Sequence, residues 1–252
     1  MSEQPLRGAH ALVTGAGRGI GRGCAMALAA AGASLTLTAR SSDELEAAVA
    51  EIAAAGGRAW AFPADATDEQ QVEAAVAVAA GHGDLSIAVH AAGTNRTGPT
   101  VDYALADFDF VLSANLRSTF LVCRAVGRHL LARGSGGRIV NISSQMGTVG
   151  YPGRAAYCAS KHAVDGLTKA LAVEWASEEI TVNAVAPTFI RTPLTESMFE
   201  NEEFAADVLQ RLPIGRIGEV AEVTGAVVFL VSPAASLITG HILRVYGGWT
   251  AW

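Results

Sequence analysis

The chain has 252 residues, 50% of them hydrophobic by type, and a formal net charge of −6, which is enough apolar material for a substantial core in one α/β domain. The acidic balance, the scattered Lys and Arg and the absence of any apolar run near the roughly 18 residues of a membrane span argue against nucleic acid and membrane as partners. The opening MSEQPLRGAHALV lacks the charged start, long apolar centre and cleavage site of a secretory signal. Cys24, Cys123 and Cys158 are an odd, scattered set without ligand spacing, so a cytoplasmic setting with no metal and no disulfide framework is expected.

Short apolar runs alternate with Ala-rich amphipathic stretches along the whole chain. HALVT at 10–14 predicts a strand, followed by a glycine turn and a helix over 20–31. SLTLTA at 34–39 alternates as a strand does, and Ser41 with Glu44 makes a capping box for the next helix, which turns Leu45, Val49 and Ile52 inward. RAWAFPA is a third strand. Thr67 and Gln70 suggest the cap of another helix, with Val72 and Val76 facing in. LSIAVHAA at 85–92 is nearly continuous in apolar residues, as a parallel strand covered on both faces would be. Helical sequence over 102–133 is interrupted near 113–115, GRIVNIS at 137–143 is a strand, and a long helix spans 156–177. ITVNAVAP at 180–187 is a strand, a helix at 219–231 follows, and HILRVY closes the pattern. Residues 188–212 break the regularity with prolines and acids and predict a short excursion that covers the substrate. Strand–helix repetition argues for a single α/β domain over 1–252, a Rossmann-type doubly wound parallel sheet of about seven strands with helices on both faces.

The first strand runs into VTGAGRGIG. Glycine lets backbone approach a ligand without a Cβ clash, and a helix N-terminus adds free N–H donors and a positive dipole end. Gly15, Gly17, Arg18, Gly19 and Ile20 are therefore candidates to hold a pyrophosphate, although the spacing is Thr14-Gly15-x-x-x-Gly19-Ile20-Gly21 and not G-x-G-x-x-G.

Tyr157 and Lys161 stand four residues apart on the predicted long helix and so share a face. A phenol has a pKa near 10, and an adjacent fixed cation should lower it. Ser144 lies thirteen residues before the tyrosine, with Ser143 as the nearer competitor for the hydroxyl role. Phenol, ammonium and hydroxyl together can pass a proton to or from a carbonyl oxygen, while a nicotinamide carries the hydride. Tyr157 then acts as acid or base, Ser144 orients the oxygen, and Lys161 tunes the phenol and donates to ribose hydroxyls. The histidines lack a Ser-His-Asp pattern, which fits a hydrolase poorly.

TGAGRGIG, HAAG, Asn115, Ser144, Tyr157-x-x-x-Lys161 and PTFIRT, in that order, resemble the short-chain dehydrogenase/reductase family over nearly the whole chain. The resemblance implies the same catalytic roles and adds Asn115, which in relatives helps a water chain connect the lysine to solvent. It also implies that Asp65, with Ala66 beside it, caps the adenine amino group. Ala92 and Gly93 would pass the adenosine side, Pro187, Thr188 and Ile190 would form the nicotinamide-side wall, and Thr192 would bond the carboxamide. Ala39 stands where NAD-preferring relatives often have an acid, and Arg40 follows it. With Arg18 this favours NADP(H) over NAD(H), because guanidinium groups suit a 2′-phosphate. Relatives are commonly homotetramers, and Trp249 and Trp252 suit either a subunit contact or the chain's own core.

Three departures stand out. His90 replaces an asparagine, Thr188 replaces the glycine after Pro187, and Tyr246 occupies a usually acidic position. Substrate choice is expected from Arg96, Gln145, Met146, Arg154 and the 188–205 segment. Arg96 and Arg154 suit a substrate carboxylate, and equally suit exposed turn cations. The C-terminal half resembles gluconate 5-dehydrogenase-like members, which favours a sugar acid or polyol as the small-molecule carbonyl or alcohol substrate. Met198, Phe199 and Phe204 instead suit the acyl groove of a 3-oxoacyl carrier-protein reductase, or pack the excursion. A cofactor-sensing protein without turnover is the alternative of another class, and the complete Ser-Tyr-Lys set argues against it.

Overall fold

The computed structural model describes residues 4–193 and 195–251. Its centre is a seven-stranded sheet in the order β3-β2-β1-β4-β5-β6-β7. The strands are β1 (His10–Thr14), β2 (Ser34–Thr38), β3 (Arg58–Ala61), β4 (Leu85–His90), β5 (Gly137–Ile142), β6 (Ile180–Pro187) and β7 (Ile242–Val245), and every pairing is parallel. The helices are α1 (Gly19–Ala30), α2 (Ser42–Ala54), α3 (Glu69–His82), α4 (Leu105–Leu112), α5 (Ser118–Arg133), α6 (Ala155–Trp175), α7 (Glu202–Gln210) and α8 (Val220–Val231).

Two apolar layers sandwich the sheet. One packs Cys24 and Leu28 of α1, Leu45 and Ile52 of α2 and Val223, Val227 and Leu230 of α8 against Leu35, Leu37 and Val140. The other packs Val72 and Val76 of α3, Val126 and Leu130 of α5 and Leu171 and Trp175 of α6 against Leu12, Ile139 and Val182. A strand covered on both faces is mostly apolar, and all eight residues of β6 are buried, Asn183 with its amide donating to Ile238 O. Burying a leucine or isoleucine of this kind contributes about 1.5–3 kcal/mol before chain entropy is counted. Among the described residues no helix is long and apolar enough to cross a membrane.

Several boundaries differ from expectation for local reasons. The cap of α3 is Asp68, whose carboxylate accepts from Gln71 N, because Thr67 is already engaged with Asp65. Ser41 caps α2 by accepting from Glu44 N at 3.3 Å, but Glu44 itself turns towards Arg18, at 3.9 Å, so only half of the expected box forms. The interruption at 113–115 is a π-turn over Ser113–Arg117 that runs into α5 without a break. Such a bulge shifts one side chain out of helical register, commonly at a working site, and here it carries Asn115.

The sheet order reverses between β1 and β4, and in open α/β sheets the ligand crevice lies at the carboxyl ends of the strands there.

Candidate active site

A cavity of about 590 Å³ opens at that crevice. Its walls are the segments leaving six strands: Thr14–Ile20 after β1, Thr38–Ser41 after β2, Ala64–Thr67 after β3, Ala91–Thr94 after β4, Ile142–Ser144 after β5 and Pro187–Thr192 after β6. Parallel strands with helical returns all end on one side, which explains why segments so distant in sequence share one cavity.

The glycine turn is fitted to its surroundings. Gly15 adopts φ +66°, and a Cβ there would stand 2.7 Å from Ala92 N, so both conformation and space demand glycine. Gly17 would meet Glu44. Arg18 is the N-cap of α1, and the first turn of that helix contains no acid, so its positive end faces the cavity uncompensated. This cradle, with the buried hydroxyls of Thr38 and Thr188 unpartnered on the wall, fits an extended dinucleotide whose pyrophosphate lies on the turn.

At the end reached by β2 and β3, Arg18, Arg40 and Asp65 line the cavity as expected. Arg40 is exposed and makes no ion pair among the described residues, whereas Arg18 shares its charge with Glu44. Glu44 is a wall residue that sequence reasoning assigned only to capping. One Asp65 oxygen accepts from both the Thr67 amide and hydroxyl at 2.8 Å, so this acid shapes its own turn. Ala66, Ala92, Gly93, Pro187, Thr188, Ile190 and Thr192 all line the cavity. The Thr192 hydroxyl lies 3.2 Å from that of Thr195, which in turn donates to Ile190 O.

Ser144, Tyr157 and Lys161 meet on the cavity wall where β5 and α6 face one another. Both Ser143 and Ser144 line the cavity, and the Ser143 hydroxyl donates to the Asp165 carboxylate. Ser144 also caps a short turn by accepting from Met146 N. Lys161 donates to Ile142 O at 2.8 Å, and burial lowers its pKa to about 8, with Asp165 acting in the opposite direction. The phenol of Tyr157 is raised, contrary to the expectation of an acidified group. Burial is the largest cause, while the Ser144 hydroxyl and the Arg154 charge pull it down. Lys161 gives one of its three hydrogens to a backbone carbonyl and keeps two, and Arg154 is the cation whose charge pulls the phenol down. Asp165 escaped sequence reasoning, although its place four residues after Lys161 on the same helix face was a usable signal.

Asn115 is fully buried, and its amide is consumed by a clamp. Oδ1 accepts from Thr94 N at 2.7 Å, and Nδ2 donates to Thr94 O and to Ser160 Oγ. It therefore locks the segment after β4 to α6. His90 performs a similar task where relatives have asparagine. Ser118 Oγ donates to Ala114 O, so the His90 Nε2–H donates to Ser118 and Nδ1 accepts from Thr14. Burial, and then the Lys161 charge, hold this ring down to about 3, so it is neutral. Thr188 N donates to Val245 O, which ties the replaced glycine position to β7.

The segment at 188–212 forms a short turn at Glu196–Glu200 followed by α7. Phe189 and Phe204 pack edge to face with Tyr151, Phe199 packs edge to face with Phe189, and Trp249 lies 5.7 Å from Phe189. Trp249 thus covers this cluster, and Trp252 lies outside the described residues. Phe199 and Phe204 pack on each other, 5.7 Å between ring centres, and Met198 Sδ accepts from Arg154, so none of the three lines the cavity. The Tyr151 hydroxyl latches the segment by donating to Asp207 at 2.7 Å. The expected substrate residues separate. Arg96 pairs with Asp107, stacks over Phe110 and does not line the cavity. Arg154 is buried without an acid partner, and Gln145 and Met146 are buried beside Ser144, though none of the three lines the cavity wall.

A family profile described as enoyl-(acyl carrier protein) reductase matches residues 15–250. Galactitol 2-dehydrogenase (L-tagatose-forming) of Cereibacter sphaeroides is 44% identical over 249 residues, 98% of this chain and 97% of that one. The crystal structure of a gluconate 5-dehydrogenase from Burkholderia cenocepacia in complex with NADP and tartrate superposes with a TM-score of 0.94 at 35% identity, covering 99% of this chain and 98% of that one. A short-chain type dehydrogenase/reductase from Mycobacterium marinum gives 0.94 at 38% identity, covering 98% and 97%. The matched spans contain the glycine cradle, the buried asparagine clamp and the serine, tyrosine and lysine that meet on the cavity wall. The chain belongs to the short-chain dehydrogenase/reductase family of NAD(P)-dependent oxidoreductases acting on CH–OH groups.

Proposed function

We propose that this enzyme interconverts a secondary alcohol and a carbonyl on a sugar acid or polyol, with NADP(H) preferred and NAD(H) tolerated. The observation that carries the reading is the convergence of Ser144, Tyr157 and Lys161 on one wall of the cavity entered by the glycine turn. The nicotinamide, when bound, supplies or accepts the hydride. In the direction of reduction the Tyr157 hydroxyl gives its proton to the substrate oxygen, and in oxidation the phenolate takes it back. Ser144 holds that oxygen by hydrogen bonding, and the raised phenol pKa keeps the proton in place until the oxygen needs it. Lys161 replenishes the phenol and donates to ribose hydroxyls, while the Asn115 clamp keeps the segment after β4 in line.

Preference for the phosphorylated cofactor is supported by Ala39, which offers no carboxylate, and by the unpaired Arg40 on the wall. The NADP in the Burkholderia relative agrees. Galactitol and gluconate in the relatives' names support the substrate class, and the closed lid aromatics disfavour an acyl chain. The 188–212 segment covers the substrate. Absorbance of the reduced nicotinamide, followed with sugar acids, polyols and β-ketoacyl thioesters, tests the reading. Turnover confined to the thioesters would overturn it.

A homotetramer in the cytoplasm completes the proposal. Leu105, Phe110 and Phe120 on α4 and α5, and Phe229 on α8, are exposed apolar residues suited to subunit contact. The described cysteines are all free thiols. Light scattering in solution reads the mass directly, and a monomer would refute the assembly.

A further inference from the structure

The hydride-transfer reading gives Arg154 only an electrostatic pull on the Tyr157 phenol, yet its position is costly. It caps α6 three residues before Tyr157 and is only 7% exposed. A buried guanidinium is normally paired, because an uncompensated charge removed from water is strongly unfavourable. Arg154 has no carboxylate among the described ion pairs. Its one side-chain hydrogen bond runs from Nη2 to Met198 Sδ at 3.4 Å, and a thioether is a weak acceptor. Aromatic faces hold it instead: Tyr151 at 5.6 Å, Phe189 at 5.5 Å and Phe204 at 5.8 Å. These faces fix the direction of the guanidinium, and the rest of its N–H fork has no protein acceptor among the described residues. The nearest acid on the lid, Asp207, is already taken by Arg211 and by the Tyr151 hydroxyl.

A second observation points the same way. Gln145 follows Ser144 directly, is 2% exposed, and has both amide atoms buried without a partner. Native structures rarely leave such groups unpaired unless a ligand completes them. A neutral polyol could satisfy the amide but not the charge. A carboxylate satisfies the guanidinium, in the bidentate geometry that arginine favours.

We propose that Arg154 and Gln145, which lie behind the wall of the cavity as it stands, form a subsite for a substrate carboxylate near the Ser144–Tyr157 pair, making this enzyme a dehydrogenase of hydroxy or oxo acids of the sugar series and not of neutral polyols. The inference rests on the sugar-substrate reading above. The lid closes over the acid end, and the reacting carbon then faces Tyr157. Arg96, tied to Asp107, takes no part.

The test compares gluconate with gluconamide, which has the same carbon skeleton and hydroxyls but no charge, and with galactitol, using NADP and wild-type enzyme. The expected result is a kcat/KM at least about 10²-fold higher for the acid, the scale for losing one partner of a buried charge pair. Arg154→Met should then lose about 10²-fold more kcat/KM for gluconate than for gluconamide, mainly through KM, and Arg154→Lys should recover part of that loss. Equal handling of acid and amide by the wild type would overturn the subsite, and it needs no variant that folds. So would an Arg154→Met variant whose losses are the same for both, which is what a purely structural cation would give. Turnover of none of the three, with NADPH still bound, would instead sink the sugar-substrate reading on which the subsite rests.

Discussion

The Lys161 ammonium lies 5.6 Å from the centre of the Tyr157 ring and gives a hydrogen to the Ile142 carbonyl. The pair expected from sequence is therefore adjacent but not hydrogen-bonded, and burial keeps the phenol protonated. Removing only the hydroxyl isolates its role. Tyr157→Phe should cut turnover by about 10² to 10⁴-fold, the usual scale for a general acid or base. NADPH affinity, read by fluorescence titration, should stay within about threefold. Turnover at the wild-type rate would remove Tyr157 from the mechanism.

Glu44 gives a second prediction. Its carboxylate sits against Gly17 and 3.9 Å from Arg18, on the wall where a 2′-phosphate would lie. Like charges near one another oppose binding, and the acid also competes for Arg18. Glu44→Gln should tighten NADPH about three- to tenfold and leave NADH nearly unchanged, whereas Arg40→Ala should weaken NADPH by about tenfold. Titration of both cofactors against both variants checks this. An equal response of NADH and NADPH would show that neither residue reads the phosphate.

The lid latch is testable by one atom. Tyr151 donates to Asp207, and burial, followed by that hydrogen bond, pushes its pKa to about 12, so it remains a donor at any working pH. A hydrogen bond to a charged group contributes about 1.5–3 kcal/mol. Tyr151→Phe should raise KM for the substrate about five- to tenfold and speed proteolytic cleavage within 190–210, with α6 chemistry intact. Unchanged KM and cleavage rate would mean that the aromatic packing alone holds the segment.

Acid sensitivity should come from two buried histidines. Burial is the main cause that lowers His10 to about 4 and His90 to about 3. Both stay neutral in the folded state while the unfolded chain gains protons below about 6.5. The unfolded state then binds more protons, so stability is full above that pH and falls as the pH drops towards 4 and then 3. Each such histidine contributes a slope of up to about 1.4 kcal/mol per pH unit. His90→Asn, which keeps a polar bridge between Thr14 and Ser118, should remove roughly one proton's slope between pH 6 and 4 in urea midpoints. An unaltered slope would assign the acid loss to other groups.

Periodicity was enough to reveal the strand–helix alternation. The boundaries of β1 and β6 follow directly from HALVT and ITVNAVAP, because runs buried on both faces are mostly apolar, with His10, Thr14 and Asn183 admitted by their hydrogen bonds. Spacing alone placed Tyr157 and Lys161 together, since i and i+4 on a helix share a face, whereas Ser144 was legible only through the resemblance to the family. Tertiary packing decided the rest. Only the approach of β5 to α6 brings the Ser143 hydroxyl to Asp165. Only the folding of 188–212 over the site buries Arg154 among aromatic rings while Arg96 stays outside with Asp107. Local sequence can state which atoms a side chain offers. Which of them are already satisfied, and what each charge loses in leaving water, depends on neighbours that are far away in the chain, and those neighbours exist only once the sheet and its lid have assembled.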